Sequence, residues 1–290
     1  MHPDQVPIDT GVARGLVAEQ FPEWADLDIE PVQSGGTVNA IFRLGTSMSL
    51  RLPLTASGVT SLEHETRWLP VLQPQLPIQV PTPLAMGRPA GTYPFPWSVH
   101  TWIEGEPASK EPPPDLSRAA RDLGGFASAL QAIDPTKGPA NMHRAMPLIT
   151  ADGPTRAAIA AAGAAIDASA VTSAWERALE APAWELDPVW VHGDLWSSNL
   201  LVREGRLVGV IDFGNVGTGD PAIDTLPAWS LFDDESRIAF RASSGADDAT
   251  WERGKGWAIS MAALAIPYYL DSNPAIVSNA GRMLAAVLGD

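Results

Sequence analysis

Apolar positions along the chain change period about a third of the way in. Val12, Leu16 and Val17 recur at helical spacing behind Asp9 and Thr10, which predicts an amphipathic helix over residues 9–20. Short strand-like runs follow at 29–32, 40–44 and 48–52, the last two joined by a tight turn at 45–47. Leu62, Glu65, Trp68, Leu69 and Leu72 then return to helical spacing, and two further strands are predicted at 84–87 and 97–103. Beyond residue 104 the pattern is mostly helical. The run Lys110-Glu111-Pro112-Pro113-Pro114 breaks the chain, and a helix is expected to open at Asp115. The predicted organisation is therefore two lobes, residues 1–103 and 104–290, the first built on a sheet and the second mainly helical.

One stretch of the second lobe reads differently. Val189-Trp190-Val191 is a short buried strand entering the segment His192-Gly193-Asp194-Leu195-Trp196-Ser197-Ser198-Asn199. Leu200–Val202 and Leu207–Ile211 then form a hairpin about Glu204-Gly205, and Asp212-Phe213-Gly214 follows. A hairpin of this length returns Asn199 and Asp212 to the same edge. The bland alternative is a surface hairpin flanked by ordinary turn residues.

Composition narrows the setting. The chain has 290 residues, 45% of them hydrophobic, which is ordinary for a globular protein. It has no cysteine, so disulfides, thiolate zinc sites and cysteine nucleophiles are excluded, which fits a cytoplasmic setting. The first ten residues lack the basic and apolar runs of a secretory signal, and no apolar stretch is long enough to span a bilayer. The formal charge of −15 argues against a nucleic-acid partner, whose phosphates need a basic surface. It is compatible with a cationic small-molecule substrate and equally with plain solubility.

Asp194, Asn199 and Asp212 carry the chemistry. Phosphoryl transfer needs positioning and charge neutralisation more than covalent help. A carboxylate beside the attacking hydroxyl orients it and takes its proton, the role assigned to Asp194. Magnesium prefers hard oxygen ligands, which Asp212 and the Asn199 amide supply. His192 either serves chemically or buttresses the loop through a backbone hydrogen bond. In the first lobe, the paired glycines of Gln33-Ser34-Gly35-Gly36-Thr37 expose backbone N–H groups to phosphates, with Ser34, Thr37 and Asn39 adding side-chain hydrogen bonds.

The segment from Val191 to Asp224 resembles the aminoglycoside phosphotransferase and choline-kinase-like family, which includes antibiotic and macrolide kinases and is related to protein kinases. Further marks are Gly36–Arg43, Leu50–Pro53, Trp68–Pro70, Trp102–Glu106 and Gly219–Asp224. The resemblance implies an α+β, bilobal, protein-kinase-like fold, with a small antiparallel N-terminal lobe and a larger helical C-terminal lobe. It implies Mg2+ and ATP or GTP as phosphoryl donor, a hydroxylated acceptor such as an aminoglycoside or macrolide, and a monomer or homodimer. A metabolic amino alcohol or sugar is the alternative acceptor, and a catalytically weak nucleotide-binding scaffold the alternative role.

By the same resemblance Arg51 stands where kinases carry the strand lysine that binds phosphates. Glu65 or Glu63 is its expected partner, with Glu65 on the apolar side of its helix. Thr101 and Ile103 supply backbone groups to the base, and Trp102 lines the hinge or packs in the core. Trp196 occupies the position two after the aspartate, where protein kinases carry lysine. No activation segment follows, and residues 217–224 lead directly toward a helix. Asp224 is expected to brace the catalytic loop. Trp196, Trp229, Asp233, Asp234, Tyr268 and Tyr269 are the candidate acceptor contacts, against a stronger reading of Trp229 as core and of Asp233-Asp234 as the start of a helix.

Overall fold

A computed structural model describes residues 5–32, 38–141 and 144–290. The chain opens with helix α1 (Thr10–Gln20), whose first turn is capped by Asp9 accepting from the Val12 N–H at 2.9 Å. Strands β1 (Ile29–Pro31), β2 (Asn39–Leu44) and β3 (Met48–Pro53) precede helix α2 (Ala56–Leu72). Strands β4 (Pro83–Gly87) and β5 (Trp97–Thr101) complete an antiparallel five-stranded sheet in the order β1-β2-β3-β5-β4. The strand, strand, strand, helix, strand, strand order expected from the apolar pattern is the observed one.

The core of this lobe is α1 packed on one face of the sheet. Alternation along β3 sends Leu50 and Leu52 into it with Phe42, Leu44, Trp97 and Val99. The other face carries Ser49, Arg51, Ser98 and His100, in the register Arg51↔Ser98 and Ser49↔His100.

The second half begins with β6 (Glu106–Pro107) and α3 (Leu116–Gln131), the latter capped by Asp115. Helices α4 (Asp152–Ala162) and α5 (Ala168–Glu180) lead to β7 (Val189–Val191), β8 (Leu200–Arg203), β9 (Arg206–Val210) and β10 (Gly217–Gly219). Helices α6 (Pro227–Ser230), α7 (Asp234–Ser244), α8 (Asp248–Tyr269) and α9 (Pro274–Gly289) close the fold. The β8–β9 turn has positive φ at both Glu204 (52°) and Gly205 (73°), the twist that a two-residue hairpin needs. Residues 217–224 depart from expectation: β10 pairs antiparallel with β7, and a 3-10 turn at Pro221–Thr225 comes before α6.

Helix α2 joins the two halves. Its C-terminal residues Trp68, Leu69 and Leu72 are buried in the lower core rather than under the sheet, with Trp68 against Trp190 at 5.2 Å. That anchorage presses the helix onto the turn at Phe213–Asn215. A Cβ on Gly214 would lie 3.1 Å from Ser61 Cβ. Glycine there spares Ser61 a displacement of a few tenths of an ångström. The sharp turn itself falls on Asp212, at φ 67°.

Candidate functional site

Arg51 of β3 pairs with Glu65 of α2, not with Glu63. Glu65 is only 3% exposed, and its second oxygen accepts the Phe213 N–H at 3.3 Å. One carboxylate thus ties the strand cation to the residue after Asp212. Burial raises the Glu65 pKa, and the Arg51 charge pulls it back down.

Below the helix, the loop after β7 is held by Asp224. Its two oxygens accept the N–H groups of His192 (2.7 Å) and Gly193 (2.8 Å). Two successive N–H groups converge on one carboxylate because Gly193 takes φ 77°, a conformation side chains disfavour. The brace is therefore where the resemblance led one to look for it. Burial pushes Asp224 up to about 7, against the two N–H donors.

His192 is fully buried, edge-on to Phe213 with ring centroids 4.5 Å apart. Its Nδ1 accepts the Asp194 N–H at 3.2 Å, so Nε2 carries the proton and donates to the Ile211 carbonyl at 3.1 Å. Burial lowers its pKa to about 4 and keeps it neutral. Both nitrogens are committed, so His192 buttresses the loop and is spent as a metal ligand.

The remaining predicted residues meet at the open end of the β8–β9 hairpin. The Asn199 side-chain nitrogen donates to the Asp194 carbonyl at 2.9 Å, and the Ile211 N–H donates to the Asn199 carbonyl at 2.9 Å. Asn199 is thereby fixed between Asp194 and the start of the Asp212 turn, with its amide oxygen left over. Asp212 adopts a left-handed backbone, which costs a non-glycine residue roughly 1–2 kcal/mol. Such strain is held only where the surroundings over-determine it.

The Asp194 side chain is 14% exposed and has two donors that the sequence did not reveal. Arg144 pairs with Oδ1, and Asn215 approaches Oδ2 at 3.5 Å. Burial raises the Asp194 pKa and Arg144 lowers it, while Asp212 adds to the rise. Arg144 arrives on an irregular segment laid along β10. Asn141 N–H donates to Thr218 O (2.9 Å), Thr218 N–H to Pro139 O (2.7 Å) and Asp220 N–H to Ala145 O (3.0 Å). Glycines permit this approach: a Cβ on Gly219 would sit 2.3 Å from the Ala145 carbonyl oxygen.

Ser34, Gly35, Gly36 and Thr37 lie outside the described residues. Asn39 begins β2, its amide oxygen buried without a hydrogen-bond partner among the described residues. At the strand end, Thr101 N–H donates to Thr82 O and Trp102 N–H to Ser47 O, both bonds within the upper lobe. The Arg43 guanidinium stands 5.1 Å over the Trp102 ring and pairs with Glu104. Ile103 is nearly buried against Gly209.

Several candidate acceptor contacts have structural duties, in line with the stronger reading of the sequence. Trp229 is buried in the lower core against Trp251, and Asp233 caps α7 through a reciprocal pair with Ser236. Asp234 pairs with Arg237, and Tyr268 stands exposed against Tyr269. Among the described residues no cluster of three or more His, Asp or Glu side chains surrounds a metal position. No helix among them is long and apolar enough to cross a membrane.

An antiparallel upper sheet, a helix-rich lower lobe, and a strained aspartate beside a braced loop define the kinase-like phosphotransferase fold. Residues 28–257 match the family model described as the phosphotransferase enzyme family, and the chain belongs to that family. Solved structures share the fold at low identity. The GDP and kanamycin complex of APH(2")-IIia superposes with a TM-score of 0.75 at 18% identity, covering 96% of this chain and 99% of that one. The macrolide 2'-phosphotransferase MphH from Brachybacterium faecium gives 0.64 at 21%, covering 96% and 98%. An aminoglycoside 3'-phosphotransferase of Escherichia coli is 42% identical over 48 residues, 17% of this chain and 18% of that enzyme.

Proposed function

We propose that this enzyme moves the γ-phosphoryl group of a magnesium-bound nucleoside triphosphate, ATP or GTP, to a hydroxyl of a small molecule. Asp194 is the base that receives the alcohol proton. A carboxylate raised by burial and restrained by Arg144 suits that task, because a base works best with its pKa drawn toward the working pH. Asp212 and the Asn199 amide oxygen would hold Mg2+; both are hard oxygen donors, the set that ion accepts. When bound, the ion neutralises phosphate charge. Arg51, fixed by Glu65, lies in reach of the phosphates, and the hinge at Thr101, Trp102 and Ile103 takes the base. Ser34, Gly35, Gly36, Thr37 and Asn39 complete the nucleotide side of this reading.

The observation that carries the reading is the convergence of Asp194, Asn199 and the Asp212 turn through the bonds of Asn199. Aminoglycosides and macrolides are the first acceptors to test, because the neighbouring structures carry those names. A sugar is the second. A cavity of about 480 Å³ beside the catalytic loop is walled by Ser109, Ser197, Ser230, Ser278, Asn279 and Arg282 together with Ala108, Pro112 and Leu231, with no acidic side chain among the described residues that line it. A wall of that kind suits neutral hydroxyls better than amines. The test is acceptor-dependent release of ADP or GDP across hydroxylated antibiotics, sugars and amino alcohols. Release that no acceptor stimulates would contradict the reading.

A further inference from the structure

Arg144 has no place in the sequence motifs, yet it holds the residue at the centre of the site. Its Nη1 pairs with Asp194 Oδ1 and reaches the Gly193 carbonyl at 3.3 Å. Its backbone N–H donates to the Asn141 side-chain oxygen at 3.0 Å, and the Asn141 side-chain nitrogen donates to the Asn215 carbonyl at 2.7 Å. The backbone under the guanidinium is thus tied to the turn that follows Asp212. Nε and Nη2 of Arg144 have no partner among the described residues, and the side chain is 28% exposed. A guanidinium offers five donors in a planar fork, so the group meets Asp194 with one corner and keeps the other edge free.

The charge balance gives that edge a use. Asp194 and Asp212 put two carboxylates beside the position where a phosphoryl group, itself dianionic, must pass. Transfer is accelerated by fixed cations that face the charge of the moving group. Protein kinases place a lysine two residues after the aspartate, and this chain has Trp196 there.

We propose that Arg144 is the transfer-site cation, brought in on the segment beside β10 to face the moving phosphoryl group in place of the cation the catalytic loop lacks. In the resting enzyme Asp194 is its partner. This rests on the function proposed above. The phosphoryl group leaves the nucleotide's bridging oxygen as the bond to the alcohol oxygen forms, and the alcohol proton passes to Asp194. Arg144 makes and breaks no covalent bond.

The test needs no acceptor. Affinities of the full-length chain for Mg-ADP and Mg-GDP are measured by calorimetry, with and without aluminium fluoride as a mimic of the moving phosphoryl group. Arg144→Ala should leave diphosphate binding unchanged and weaken the fluoride complex by roughly ten- to a hundredfold, the effect of one charge-assisted hydrogen bond. Arg144→Lys should retain most of the fluoride affinity, and added guanidinium chloride at millimolar concentration should restore part of it to Arg144→Ala. Equal fluoride affinity in wild type and Arg144→Ala would overturn the proposal. So would parallel loss of both affinities with a lowered melting temperature, which would mark Arg144 as a structural strut. If the wild-type chain binds neither diphosphate, the underlying function fails instead.

Discussion

Asp224→Asn is the most informative conservative change in this molecule. Asp224 is 2% exposed and accepts one N–H on each oxygen, from His192 and Gly193. Asparagine keeps the shape but has one acceptor oxygen, so its NH2 must face one of the two N–H groups. The variant loses a hydrogen bond to a charged acceptor, worth roughly 1.5–3 kcal/mol, and leaves a buried donor unpaired at about 1–3 kcal/mol more. Relief of the buried charge works the other way: a carboxyl held up to about 7 against an ordinary 3.8 is disfavoured in its ionised form by about 4 kcal/mol, bonds included, so above pH 7 the variant should be at least as stable as wild type. The lost bond should therefore be read in catalysis and not in Tm.

The measurement belongs at about pH 8. The folded carboxyl, held up to about 7, binds its proton more readily than the unfolded one, with an ordinary value of 3.8. Wild type therefore gains stability from this group as pH falls below 7, a slope the variant lacks. Because Gly193 precedes Asp194, kcat should fall by at least about tenfold through misplacement of the base. Unchanged kcat in the variant would refute the brace.

Other expectations follow from the same geometry. His192 has a folded pKa of about 4 against an ordinary 6.5, so the unfolded chain binds more protons between those values. The contribution of this group should fall by about 3 kcal/mol as pH drops through that window, against the rise from Asp224, and the difference between wild type and His192→Asn in urea titrations should show it. Asp194→Ala should abolish turnover while nucleotide affinity by calorimetry stays within about twofold; retained turnover would remove Asp194 from its role. Glu65→Ala strands the Arg51 charge and the Phe213 N–H together, and denaturant unfolding should show a loss of about 3–5 kcal/mol. A loss under about 1 kcal/mol would mean that the pair is open to solvent.

What the sequence revealed follows from how local each signal is. The β8–β9 hairpin was legible because turn chemistry at Glu204-Gly205 and the apolar runs on either side of it are local. Glu65 could be preferred over Glu63 because it shares the apolar side of α2 with Leu62 and Leu69, and the observed pair agrees. β10 was not legible. Gly217-Thr218-Gly219 reads as loop, since glycine weakens strands, and the close approach of Pro139, Asn141 and Ala145 explains glycine there. Arg144 was invisible for the same reason. It lies on a segment without periodicity, fifty positions before the aspartate it holds, and its partner is chosen by tertiary packing alone. The C-terminal packing of α2 in the lower core was likewise hidden, because periodicity shows that a face is buried and not what buries it.

The account stands on Asp194, Asn199 and Asp212 serving one transfer site. A crystal structure with Mn2+ and non-hydrolysable ATP or GTP analogues tests this most directly. The anomalous signal should place the metal between the Asp212 carboxylate and the Asn199 side-chain oxygen, at about 2.0–2.2 Å from each. The terminal phosphate should face Asp194. A metal bound to other residues, or a nucleotide seated away from this hairpin end, would contradict the account.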